Sequence, residues 1–118
     1  MKKVREVIAY KDYFEKFLLS LDEKVQNKIF KVIEIIETFE MVPEQYLKAI
    51  KGTKGLYEAR IKLGKNIWRV FCFFDQGRLV ILLTGFQKKT QKTPKKEIKR
   101  AVKLMNEYYN EKNENNEN

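Results

Sequence analysis

Between Tyr57 and Leu63 the chain reads YEARIKL, a strict alternation that puts Tyr57, Ala59, Ile61 and Leu63 on one side and Glu58, Arg60 and Lys62 on the other. That two-residue period predicts a half-buried strand. Two further apolar runs follow, IWRVFCFF over Ile67–Phe74 and RLVILLTGF over Arg78–Phe86. The segments between them, Gly64-Lys65-Asn66 and Asp75-Gln76-Gly77, suit tight turns, so the three runs predict an antiparallel meander. Upstream the period changes. Val25, Ile29, Val32, Ile33, Ile36 and Phe39 recur every three or four residues, which predicts a long amphipathic helix ending near Phe39 or Glu40. Asp12 with Glu15, and Ser20 with Glu23, have capping-box spacing ahead of a short and a long helix respectively. VREVIAY, Val4–Tyr10, reads as a first strand lying beside a later one. Pro43 and KGTKG (Lys51–Gly55) close the helical half, with one helical turn expected around Glu44–Ile50. Thr93 is placed to cap a last helix with Pro94 in its first turn and Ile98, Val102, Met105 and Tyr109 as its apolar stripe.

Strand, helix, helix, three strands, helix predicts an α+β fold: a small antiparallel sheet with two N-terminal helices packed on one face, and a C-terminal helix. At 118 residues, 43% of them hydrophobic, the chain supports one core. The expected division is a single domain over 1–109 and a disordered polar tail over 110–118, where no strongly apolar residue occurs.

Charge refines this picture. The chain carries a formal +9, but Lys11–Lys48 holds six basic against eight acidic residues, whereas Ile50–Arg69 holds six basic residues and Glu58. Thr84–Arg100, TGFQKKTQKTPKKEIKR, adds seven Lys or Arg and one Glu. The second half is therefore the part suited to a polyanion. There is no His, which excludes imidazole catalysis and His metal sites, and Cys72 is alone in an apolar run. No metal or other cofactor is expected. No phosphate-binding glycine loop is present, MKKVREVIAY lacks the apolar block of a secretion signal, and charged residues interrupt every apolar stretch. A cytoplasmic protein without a membrane partner is the expectation.

The chemistry left is a cationic strand face. Arg60 and Lys62 point the same way from one strand, Arg69 interrupts the next, and Lys88 and Lys89 follow the third. Guanidinium forks and ammonium groups at such spacing suit phosphate. Tyr57, Trp68 and Phe86 are near enough in sequence to stack a base, with core packing as the competing role for each.

The stretch GLYEARIKLGKNIWRVFCFFDQGRLVILLTGFQKKTQKTPKKEIKRA, Gly55–Ala101, resembles the RelE/ParE toxin superfamily, specifically its HigB-like, phage-associated branch. LYEARI, WRVFCFF and GFQKKTQKTPKKEI are the specific parts. The resemblance implies a microbial-ribonuclease-like fold and the toxin of a type II toxin–antitoxin system. It implies a metal-independent endoribonuclease that cuts mRNA on the ribosome by attack of a 2′-hydroxyl on the adjacent phosphate. Its partners would be mRNA, the ribosome and a cognate helix-turn-helix antitoxin. Carried over by position, the catalytic set is Arg60, Lys62 and Arg69, with Glu58 as a rival base to Lys62. The family's basic residues after the last strand fall on Lys88 and Lys89, and Phe86, Gln87 and Lys92 beside them complete the expected RNA contacts. Thr84 stands where many relatives have His. Two other readings remain open: a ParE-like gyrase poison, and an RNA-binding module without catalysis.

Overall fold

The computed structural model describes residues 2–116. In chain order it contains β1 (Glu6–Ala9), α1 (Tyr13–Leu19), α2 (Glu23–Thr38), β2 (Leu47–Ala49), β3 (Leu56–Leu63), β4 (Asn66–Asp75), β5 (Leu79–Lys88) and α3 (Lys95–Asn116). The sheet order is β1-β5-β4-β3-β2. The meander β3-β4-β5 is antiparallel, as its alternation and turns predict. β1 joins β5 in parallel, so the sheet is mixed rather than wholly antiparallel. Two helices and three strands separate β1 from β5, and no tight turn dictates their relative direction.

Alternation along the meander sends apolar groups to both faces. α1 and α2 bury Phe14, Leu18, Val25, Ile29, Val32 and Ile36 against Ala59, Ile61, Trp68, Val70, Cys72, Val80 and Leu82. Cys72 is fully buried here, which pushes its thiol up to about 12 and leaves it an inert core group. α3 packs on the opposite face: Ala101, Leu104 and Met105 meet Leu56, Phe71, Phe73, Ile81 and Leu83. The one-face expectation thus holds for α1 and α2, and α3 takes the other face, because Phe71, Phe73, Ile81 and Leu83 make one end of it as apolar as the first.

Three local expectations change. The helical turn expected over Glu44–Ile50 is confined to its start, where the Tyr46 and Leu47 N–H groups donate to the Pro43 carbonyl. Leu47–Ala49 then pairs with Tyr57–Ala59, because the open edge of β3 offers backbone partners that a lone helical turn lacks. Neither capping box forms: Asp12 pairs with Lys16 at 3.2 Å, and the Ser20 hydroxyl donates to the Phe17 carbonyl at 2.6 Å. The polar tail expected from Asn110 continues α3 as helix to Asn116. Glu111 pairs with Lys11 at 2.8 Å and Lys112 with Asp75 at 2.8 Å, so side-chain ion pairs replace the missing apolar anchors. The final two residues of that expected tail lie outside the described residues.

One glycine shapes the site end of the sheet. A Cβ on Gly85 would sit 2.5 Å from a ring carbon of Phe17 and 2.8 Å from the Arg69 carbonyl oxygen. The register between β4 and β5 shifts beside it, between Val70 and Cys72. This irregularity bends the end of β5 while keeping Phe86 opposite Arg69 and Lys88 opposite Ile67.

Candidate phosphate-binding site

Register places the cations in rows. Arg60 of β3 is the direct partner of Arg69 of β4, which in turn faces Phe86 of β5. In the next row Lys62, Ile67 and Lys88 are aligned, and on the other side Lys48 of β2 faces Glu58. All lie on the face that carries α3, at the end that the helix leaves uncovered. Like charges directly opposite on neighbouring strands are unfavourable. Glu58 offsets part of that cost: its carboxylate oxygens lie 3.7 Å from Arg60 Nε and 3.5 Å from Arg69 Nε.

This cluster is buried yet incompletely bonded. Glu58 is 6% and Arg69 5% exposed. The Glu58 contacts are ion pairs without hydrogen-bond geometry, so Arg60 Nε and Arg69 Nε remain buried donors lacking an acceptor. Arg69 Nη1 donates to the Trp68 carbonyl at 3.3 Å, and Arg60 Nη1 to the Glu44 carbonyl at 3.5 Å. Burial pushes the Arg69 pKa down; Glu58 opposes the shift and Arg60 adds to it. Burial, followed by the charge of Arg69, likewise lowers the Lys88 ammonium below its ordinary value. Buried donors without acceptors and crowded cations are relieved together by one anion with several oxygens, such as a phosphate diester.

The residues expected from sequence divide by position. Glu58, Arg60, Arg69, Phe86 and Lys88 share the face, with Lys62 at the exposed end of β3. Gln87 points to the opposite face, where its amide donates to Asn66 Oδ1 at 3.5 Å. Lys89 and Lys92 are exposed on the segment leading to α3. Phe86 is half-buried and stacks on Phe71 with centroids 5.5 Å apart, so it packs the core edge. Tyr57 packs edge-on to Phe74 on the helix side, and Trp68 is buried in the same core.

Sequence reading missed two members. Lys48 joins the cationic face only because Leu47–Ala49 is a strand, and the local pattern there suggested a helical turn. Thr93 was expected to cap α3, yet its hydroxyl donates to Glu58 Oε2 at 3.1 Å. That contact ties the segment before α3 to the carboxylate between the arginines. An open cleft of about 510 Å³ extends the site past the edge of β3 and adds Lys28, Gln45 and Tyr46 to its walls.

The model of the family described as phage derived protein Gp49-like (DUF891) matches residues 16–106. No curated protein sequence matches this one. Among solved structures, a chain of the archaeal RelE–RelB complex from Pyrococcus horikoshii OT3 superposes with a TM-score of 0.53 at 23% identity, covering 70% of this chain and 93% of that one. A chain of the RelB–RelE antitoxin–toxin complex from Methanococcus jannaschii gives 0.52 at 20% identity, covering 74% and 99%. With the family match spanning most of its length and the fold shared across these structures, the chain belongs to the phage-derived Gp49-like family and has a RelE-like fold.

Proposed function

We propose that this protein is the toxin of a toxin–antitoxin pair and a metal-independent endoribonuclease that cleaves mRNA on the ribosome. The observation that carries the reading is the cross-strand pair Arg60 and Arg69, held about one buried carboxylate with unpaired guanidinium donors. An RNA phosphate placed there accepts those donors. The 2′-oxygen of the preceding ribose attacks phosphorus, the new O2′–P bond forms and the P–O5′ bond breaks. The products are a 2′,3′-cyclic phosphate and a 5′-hydroxyl.

Each residue has a separable task. Arg69 stabilises charge on the pentavalent phosphorane from a buried position, where electrostatic effects are stronger than in water. Arg60 shares that load, and Glu58 fixes both guanidinium groups as their counter-ion. Lys88 is placed to accept the 2′ proton: burial, followed by the charge of Arg69, lowers its pKa in the direction that a base requires. Lys62, at the rim, supplies a proton to the departing 5′-oxygen. Lys48, Lys89 and Lys92 hold flanking phosphates. A cognate antitoxin is the partner suggested by the likeness to chains from RelE–RelB complexes.

Inducing the gene and sequencing message ends tests this directly. Translated messages should gain 5′-hydroxyl ends paired with 2′,3′-cyclic phosphates. Intact messages with arrested DNA replication would instead support a gyrase poison.

A further inference from the structure

We infer that the cleft beside β3 is a nucleotide subsite, built by α2 and the turn before β2, that holds one nucleotide flanking the cleaved phosphate; this rests on the ribonuclease reading above. Four observations point there. First, β2 stops short: its last pair is Leu47 with Ala59, and the Arg60 N–H donates to the Tyr46 carbonyl at 2.8 Å. By strand alternation Lys62 turns its N–H and C=O the same way, past the end of β2, where no strand follows among the described residues. A base edge can therefore meet a free backbone donor and acceptor.

Second, the chain walls that opening with groups suited to a nucleotide. Tyr46 is half-buried against the core and presents a ring fixed in place, and Gln45 beside it is exposed with an amide that both donates and accepts. Third, Lys28 reaches the cleft from α2, a helix otherwise separate from the cationic face, and it has no ion-pair partner among the described residues. Fourth, the cleft is continuous with the reaction centre, because Arg60 and Arg69, with their unpaired buried Nε donors, form its inner wall. A ring, an amide, an open strand edge and an isolated ammonium match a base with its phosphate. A binding surface for double-stranded RNA fits poorly, since a stacked, paired base cannot enter an opening of this kind.

Short 2′-fluoro oligonucleotides of increasing length, which cannot undergo 2′-attack, test the subsite by fluorescence anisotropy on the full chain. The wild type should gain roughly tenfold in affinity on the addition that fills the cleft, the scale of one stacked base. Lys28→Ala combined with Tyr46→Leu should abolish that step while leaving binding of the shortest ligand unchanged. Lys28→Ala and Gln45→Ala singly should each reduce it; these surface changes keep the experiment decisive if Tyr46→Leu fails to fold. A step of full height in the folded variants overturns the subsite and leaves the ribonuclease reading standing. A wild type that binds none of the oligonucleotides, but cuts messages on the ribosome, also overturns it. Absence of both binding and cleavage removes the ribonuclease reading itself.

Discussion

Two buried carboxylates share one sheet face, and they are treated differently. Asp75, under α3, accepts from the Tyr108 hydroxyl at 2.6 Å and from Lys112 Nζ at 2.8 and 3.0 Å. Burial works against its ionisation, but Lys112 and Tyr108 outweigh that and hold its carboxyl below the ordinary 3.8. Glu58, beside the arginines, has one hydrogen bond, from Thr93, and two long ion pairs to arginines that keep unpaired donors. The first is a completed clamp. The second leaves two buried guanidinium donors without acceptors, an arrangement that a protein selected only for stability would have little reason to keep.

The sharpest way to break this contrast is to exchange the damage. Arg69→Ala should lower RNA cleavage by roughly 10²–10³-fold, the scale of losing one preorganised donor to a transition state. Its unfolding midpoint should stay near that of the wild type, because removing Arg69 also relieves the opposition to Arg60. Normal cleavage by a folded Arg69→Ala protein would sink the proposed centre.

Asp75→Ala should do the reverse. Losing hydrogen bonds to a charged group costs about 2 kcal/mol of stability, and the cleavage rate per folded molecule should not change. The pH dependence has a definite sign. Because the folded-state pKa is depressed, Asp75 contributes stability above its ordinary 3.8 and loses it as pH falls through the lower folded value. Acid unfolding curves of wild type and Asp75→Ala should therefore separate at neutral pH and converge below about pH 3.8. Curves that stay parallel would deny the clamp its role.

Thr93 ties α3 to the arginine cluster, since it sits just before the helix while bonding the Glu58 carboxylate. Thr93→Val keeps the shape and deletes the donor, and about tenfold slower cleavage is expected, equivalent to about 1.4 kcal/mol. Thr93→Ser should restore most of the rate. A loss in Thr93→Ser with none in Thr93→Val would mean that packing of the methyl group, not the hydrogen bond to Glu58, is what matters.

Much of the proposed catalytic row was legible because a strand's period is local: YEARIKL alone places Glu58, Arg60 and Lys62 on one face. Apolar runs and turn residues gave the meander for the same reason. What escaped depended on contacts distant in sequence. Lys48 became a site residue through the edge of β3, ten residues on, and Thr93 through Glu58, 35 residues away. α3 ran past its apolar stripe because Lys11 and Asp75, far upstream, supply partners for Glu111 and Lys112. Gln87, one position before Lys88, faces the other side of the sheet because side chains alternate along a strand.

The smallest effect concerns the lysines beyond β5, where net charge and contact give different salt dependences. For single-stranded RNA each phosphate contact contributes about 0.7 to the slope of log affinity against log salt. If exposed Lys89 and Lys92 each meet a phosphate, replacing both by Ala should flatten the slope by roughly 1.4. Lys99 and Lys103, exposed on α3, provide the control: replacing them removes the same formal charge at a distance from the arginine row. A field acting through net charge would lower both slopes alike. Direct contact predicts a change in the first pair and none in the second, and it locates the path of the RNA on the side of the sheet where the Arg60 and Arg69 donors stand open.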